Sequence, residues 1–320
     1  MRWFQLFLAL ACLGYVAEVR AQTRPMKNAP VTALAISANG MEVISGSQVG
    51  AQGRFWPELR VAKSLPTKLA NVHDLAFSHD GKQVLVAGGD PGESGGLKIW
   101  GWDDAKLVVS STPHTDLIYR AAWSSRGDRI ITASADGTVK VLDGKTLAVL
   151  GVYSGHSRAV LSAAWAPGEE FAVTASVDQT IQLWDVSTGK RVRALSNHVG
   201  AVNEVAFQPK VNDGPPVLAS ISEDRTLRLW QPTIGRLMRF TKLSSPPRTL
   251  HWLPSGKYLV VGCNDGKVRV VDFEELRIVD EQEAYVGRIH SLCIHPTDPF
   301  AIVGGEKGVQ ALVIKQLQAN

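Results

Sequence analysis

Three histidines in this 320-residue chain stand at a fixed spacing from an aromatic and ahead of a turn aspartate. His114, His156 and His198 each lie nine residues before an aromatic, Trp123, Trp165 and Phe207, and each is followed by a Ser-x-Asp turn ending in Asp136, Asp178 or Asp224. Imidazole and carboxylate are the groups that proton transfer uses, so these residues are the first to weigh for catalysis. Metal binding is the other chemistry to consider. Cys293-Ile294-His295 is the only Cys and His pair at close spacing. Alternation along a strand would put both on one face, but a zinc site needs three or four ligands. The stretch Gly89-Asp90-Pro91-Gly92-Glu93-Ser94-Gly95-Gly96 has the glycine content of a phosphate loop, yet it lies between two strands and opens no helix. It reads as an elongated turn that can also touch a partner. Its Gly92-Glu93-Ser94-Gly95-Gly96 opens no helix and so makes no nucleophile elbow, and the chain has no His-Glu-x-x-His helix and no Cys-x-x-Cys-His haem attachment site.

The elements that position these groups come from a repeat. Phe77, Trp123, Trp165 and Phe207 each close an apolar strand, and the last two steps between them are both 42 residues. Trp252 follows Phe207 by 45, Ile294 follows Trp252 by 42, and Ile36 precedes Phe77 by 41. Seven units result, at 31–64, 65–111, 112–154, 155–196, 197–242, 243–284 and 285–315. Polar and apolar residues alternate within them, as in Thr138-Val139-Lys140-Val141-Leu142 and Thr180-Ile181-Gln182-Leu183-Trp184, which is the pattern of half-buried strands. Turns such as Asp80-Gly81, Pro167-Gly168 and Ser255-Gly256 separate the strands. A period of about 40–45 residues carrying four strands predicts an all-β, seven-bladed β-propeller of four-stranded antiparallel blades.

The pattern Gly155-His156, Asp178 and Trp184-Asp185 resembles the WD-repeat (WD40) family, and the resemblance covers nearly all of residues 30–315. It implies a hydrogen-bonded tetrad in each blade, made of the His, the turn Asp, a strand Ser or Thr, and the Trp. By this pattern the fourth unit alone carries the whole set: His156, Asp178, Thr174 or Ser176, and Trp184. The fifth has His198, Asp224 and Trp230 but Gln231 in place of the final Asp, and the third has His114, Asp136 and Asp143 but Leu142 in place of Trp. Lys27, Lys68, Leu243 and Tyr285 occupy the His register of the other four. The resemblance therefore implies structural histidines, each fixed by its partners and shielded from substrate, whose loss unfolds a blade rather than silencing an activity.

Residues 1–21 read differently. Met1-Arg2 supplies a positive charge, Trp3 to Ala17 is apolar, and Val19-Arg20-Ala21 places small residues where a signal peptidase reads. A secretory signal is expected over 1–21 and a single propeller domain over 22–320, exported to the periplasm or outside the cell. The apolar run is short for a membrane span. An uncleaved N-terminal anchor, or lipidation at Cys12, are the alternatives. Cys263 and Cys293 read as small buried apolar residues, and a bridge between their neighbouring blades would demand close Cα approach. The seventh unit shows three strands, and residues 22–30 are expected to add the fourth and close the ring. Deleting them is expected to destabilise the whole ring; an unchanged melting temperature would refute this.

A hydrophobic content of 45% and a charged content of 20% suit one ordinary globular domain. With 34 basic and 30 acidic residues and no concentrated block, nucleic acid is not an expected partner, nor is any cofactor. Function is expected at the mouth of the channel, on a monomer. Four residues before the aligned positions stand Thr32, His73, Tyr119, Leu161, Asn203, Arg248 and His290, of which six are polar or amphipathic. The family resemblance adds the residues just before the turn Asp, namely Ala135, Val177, Glu223 and Asn264, with Arg120, Arg158 and Arg288 close by. The expected role is a non-enzymatic scaffold for a protein partner. The second unit, with Ala87-Gly88-Gly89 and Leu97-Lys98-Ile99-Trp100, is similar to bacterial exported propellers that accompany c-type cytochrome modules, which implies a cytochrome-type partner. A propeller enzyme or small-ligand receptor using the channel is the alternative. It needs converging carboxylates or metal ligands on the inner strands, and the rim register offers none. A cytosolic assembly platform is the third reading, if the N-terminus is not a signal.

Overall fold

Each amphipathic strand has one face to bury, and here the sheets bury those faces against one another around an axis. A computed structural model describes residues 29–209, 214–284 and 286–317. Seven antiparallel sheets form the blades; six have four strands in chain order, and the seventh has three among the described residues. The innermost strands are Ala33–Ile36, Asn71–Phe77, Ile118–Trp123, Val160–Trp165, Val202–Phe207, Pro247–Trp252 and Ile289–Ile294. Each ends on the residue that marks the repeat. Every innermost strand packs against those of its two neighbours, and the seventh returns to the first. Across that seam the Val31 amide donates to Gly305 O at 3.0 Å. The segment expected to complete the seventh blade, 22–30, falls almost wholly outside the described residues.

The core lies between the blades rather than in one centre. Ile131, Val139, Val160, Ala172 and Trp184, for example, fill the gap between the third and fourth. Two expectations shift. The second blade runs to His114 rather than 111, because its outer strand, Leu107–His114, is eight residues long. The glycine-rich stretch is not an elongated turn but strand: Gln83–Asp90 and Ser94–Gly101 stay paired as far as Asp90 opposite Ser94, leaving Pro91-Gly92-Glu93 as the turn. Glycine permits this because a Cβ on Gly89, at φ 143°, would meet Ser94 O at 2.0 Å, and one on Gly95 would meet Asp116 O of the next blade at 2.2 Å. The lengthened hairpin is held there by the Gly92 amide, which donates to Asp116 Oδ1 at 2.8 Å. Cys263 and Cys293 are buried and unbridged, and burial pushes their thiols up to about 11 and about 12.

Candidate interaction face at the mouth of the channel

The residues four before each aligned position share a backbone feature that the sequence did not reveal. In six blades the pairing of the innermost strand skips one residue, and the skipped residue is His73, Tyr119, Leu161, Asn203, Arg248 or His290. In the first blade the Thr32 amide and the Ala33 pairing both fall on Gly46. A β-bulge bends the strand and re-aims the extra side chain. Repeated around the ring, it sets these side chains at the end of the channel where the Ser-x-Asp turns lie.

Some of these side chains hold the next blade. Thr32 Oγ1 donates to Val72 O, and Asn203 Nδ2 donates to Pro247 O at 2.8 Å and to Glu223 Oε1 at 3.1 Å. The His73 ring packs edge-on against Tyr119, with centroids 5.2 Å apart. Arg248 NH1 donates to Glu223 Oε1 at 2.8 Å with its side chain 40% exposed, and Arg288 faces Glu306 at 3.5 Å. Partial burial lowers the imidazoles of His73 and His290, the second also through the Arg248 charge, so both favour the neutral ring. Burial and the nearby Asp116 raise the Tyr119 phenol. The mouth thus combines neutral rings and hydrogen-bonding groups with the exposed ion pairs Arg248–Glu223 and Arg288–Glu306. Leu161 and Val177 are half-buried on the fourth blade, as are Ala135 on the third and Asn264 on the sixth. The Asn264 Oδ1 atom is buried without a hydrogen-bond partner.

The histidines with their aspartates form closed chains. In the fourth blade His156 Nδ1 lies 2.8 Å from Asp178 Oδ2 and Nε2 lies 2.7 Å from Thr174 Oγ1, while Trp184 Nε1 donates to the same Oγ1 at 2.9 Å. A carboxylate only accepts, so Nδ1 carries the proton, Nε2 accepts from the threonine hydroxyl, and that hydroxyl accepts from the indole. Thr174, not Ser176, is the strand member; Ser176 Oγ instead donates to Ala159 O at 2.8 Å and accepts the Asp178 amide at 3.0 Å. The fourth blade is not alone in having the whole set. In the fifth, His198 Nδ1 lies 2.8 Å from Asp224 Oδ2, Nε2 lies 2.8 Å from Ser220 Oγ, and Trp230 Nε1 donates to Ser220 Oγ at 2.8 Å. The final Asp that Gln231 replaces is no part of this network: its counterpart Asp185 accepts Ser187 Oγ and the Thr188 amide in the next turn. The third blade keeps His114 beside Asp136 at 2.9 Å and Thr132 at 2.8 Å, and Leu142 has no side-chain donor to add.

Burial lowers His156 and His198 despite the adjacent carboxylates. Burial would raise Asp224, but hydrogen bonds from Thr226 and His198 prevail and hold it down at about 2. These imidazoles have both nitrogens engaged and little exposed surface, so they offer no base to a substrate. Among the described residues no group of three metal ligands assembles. His295 bonds elsewhere: its Nε2 lies 3.0 Å from Gly40 O, and its Nδ1 accepts the Asp298 amide at 2.8 Å. Carboxylates do converge on the inner strands, one residue past the bulges, where Asp74 and Glu204 both face Arg120.

A ring of four-stranded blades pinned by His–Asp–Ser/Thr–Trp networks defines a β-propeller of the WD type. Family models agree: "WD domain, G-beta repeat" matches residues 105–143, 147–185 and 189–231, and "Anaphase-promoting complex subunit 4 WD40 domain" matches 217–297. The chain belongs to the WD-repeat family. It is 28% identical over 144 residues to telomerase protein component 1 of Mus musculus, covering 43% of this chain and 5% of that protein. It is 29% identical over 80 residues to the retinoblastoma-binding-like protein E of Dictyostelium discoideum, covering 25% of this chain and 15% of the relative. Over 80 residues it is also 29% identical to the intraflagellar transport protein 122 homolog of Xenopus tropicalis, covering 25% and 6%. The aligned region is thus a small part of each relative.

Proposed function

We propose that this propeller is a non-enzymatic scaffold whose protein partner docks on the mouth of the channel. The observation that carries the reading is the bulge repeated at one register in six blades, which turns His73, Tyr119, Arg248 and His290 toward a common face. Tyr and Arg are among the types that dominate protein contact energies. One relative is named retinoblastoma-binding-like and another a telomerase component, and both names suit an interaction module. The histidines that resemble catalytic groups are consumed by the tetrads, which supports a role without chemistry. Export rests on the sequence of residues 1–21, and a cytochrome-type partner rests on the likeness of the second unit to exported bacterial propellers.

Affinity capture tests this. The tagged full-length protein is compared, in native envelope extract, with a triple variant carrying Tyr119→Ala, Arg248→Ala and His290→Ala and shown to be folded. A specific protein retained by the first and lost by the second supports the mouth as the docking face. Binding that ignores the substitutions places the site elsewhere, and an empty capture favours a small ligand in the channel.

A further inference from the structure

Just below the mouth, the residue following the bulge serves the wall of the channel in the second, fourth and fifth blades. Asp74 Oδ2 accepts the Ala121 amide at 2.8 Å, Ser162 Oγ accepts the Val205 amide at 3.3 Å, and Glu204 Oε2 accepts the Leu250 amide at 2.8 Å. Each bond runs from one innermost strand to the next blade's. The third blade has no such bond to give, because its residue at this position is Arg120, whose side chain offers no acceptor. Its guanidinium turns to carboxylates instead. Nε lies 3.5 Å from Asp74 Oδ2 in the second blade, and NH1 lies 3.2 Å from Glu204 Oε1 in the fifth.

The third and fifth blades are not neighbours. The fourth blade fills the space between them, so the ion pair of Arg120 with Glu204 must pass on the lumen side of Val160–Trp165. Asp74 and Glu204 are only 8% and 7% exposed. Carboxylates so buried are tolerated when paired and hydrogen-bonded, and costly when the pairing cation is removed. The field of the guanidinium is felt further round: burial, and then Arg120, hold His251 of the sixth blade down to about 4. The three charged residues directly follow His73, Tyr119 and Asn203 in the chain, so whatever fixes them fixes three of the bulges at the mouth.

We infer that Arg120 is a strut across the channel, joining the second, third and fifth blades and holding the bulges of the mouth in register. It is a positioning residue, and the inference stands whether or not a protein docks above it.

A double-mutant cycle in the full-length protein decides it. Arg120→Met, Glu204→Gln and the pair are unfolded in urea. Arg120→Met alone is expected to lower the folding equilibrium constant by about a hundredfold or more. The Glu204→Gln change is expected to cost about tenfold less in that background than in the parent, since it then removes an unpaired buried charge. Additive effects overturn the strut. Should Arg120→Met fail to fold, Arg120→Lys keeps the charge but lacks the fork needed to reach both carboxylates. In that variant, exchange of the Leu250 amide, three blades from the substitution, is expected to quicken about tenfold while that of Leu292 in the seventh blade holds. Parental exchange at Leu250 overturns the inference.

Discussion

The fourth and fifth blades and the first, second and sixth face the same physical need and meet it with different atoms. In the fourth and fifth, a neutral imidazole links the turn aspartate to a strand hydroxyl, and an indole N–H completes the chain. In the first, Arg54 stands where the indole would and its Nε donates to Ser45 Oγ at 3.1 Å. In the sixth, Arg269, 1% exposed, reaches Asp265 at 2.6 Å and Glu281 at 2.8 Å. In the second, Lys98 Nζ donates to Thr67 O at 2.6 Å, and Val86 occupies the place of the strand hydroxyl. The need is to satisfy buried polar groups between the turn and the loop above the strands. A tetrad does so with mostly uncharged donors, whereas the other blades use cations, and in the sixth the partners of the cation stay near water. This predicts that the tetrad blades are the more brittle ones.

The largest effect should come from the centre of a tetrad. Trp230 is fully buried and donates to Ser220, so Trp230→Ala removes both a large packing volume and a hydrogen bond. We expect a loss of about 3–5 kcal/mol in urea unfolding. A loss under about 1 kcal/mol would show that the fifth blade does not depend on its tetrad.

Acid should attack the tetrad blades next. His156 and His198 are lowered in the folded protein, so the unfolded chain binds protons first as pH falls below about 6.5. Stability is therefore full above that pH and is lost on acidification, by up to about 1.4 kcal/mol per histidine between pH 7.5 and 5.5. Asp224, held down at about 2, adds a further loss of the same sign below about pH 4. His73, His251, His290 and His295 are lowered too and add to the slope, so the specific test is subtraction. His156→Gln with His198→Gln should flatten the pH dependence of the urea midpoint; an unchanged slope would place the acid sensitivity outside the tetrads.

The contrast between blades also explains what the sequence could tell. The repeat was legible because a strand-ending aromatic every 42 residues is a one-dimensional signal, as from Trp123 to Trp165 to Phe207. The choice between Thr174 and Ser176 was not, since both are buried hydroxyls two residues apart on one strand. The fifth blade's network is masked in the sequence because Gln231 departs from the motif at a residue that lies outside the hydrogen-bonded set. The bulges were hidden because a bulge is a property of strand pairing, and the sequence shows only that His73, Tyr119 and their counterparts recur. In the sequence Arg120 shows only a place near the rim. Its ion pair with Glu204 joins units that are not neighbours, and no repeat pattern reports such a contact.

In the sixth blade, replacing the cation should cost less than damage to a tetrad. Arg269 is buried, but Asp265 and Glu281 are 31% and 37% exposed and can be hydrated when it is gone. Arg269→Met keeps the volume of the stem, so we expect about 1 kcal/mol of destabilisation in urea. A cost equal to that of Trp230→Ala would erase the distinction between the two kinds of blade.

The smallest effect is the most discriminating. Trp100 on the second blade occupies the position of Trp184 and Trp230, yet its buried Nε1 has no hydrogen-bond partner. Val86 supplies no hydroxyl and Lys68 stands in the histidine register, so the indole N–H is an uncompensated polar group inside the core. Trp100→Phe gives up some packing volume but also removes that penalty, and the two should cancel to within about 0.5 kcal/mol. The same change at Trp230 deprives Ser220 of its donor and should cost about 1 kcal/mol or more. If urea unfolding gives equal costs at both sites, the indole is retained for its shape alone, and the hydrogen bond to the strand hydroxyl is not what separates the tetrad blades from the rest.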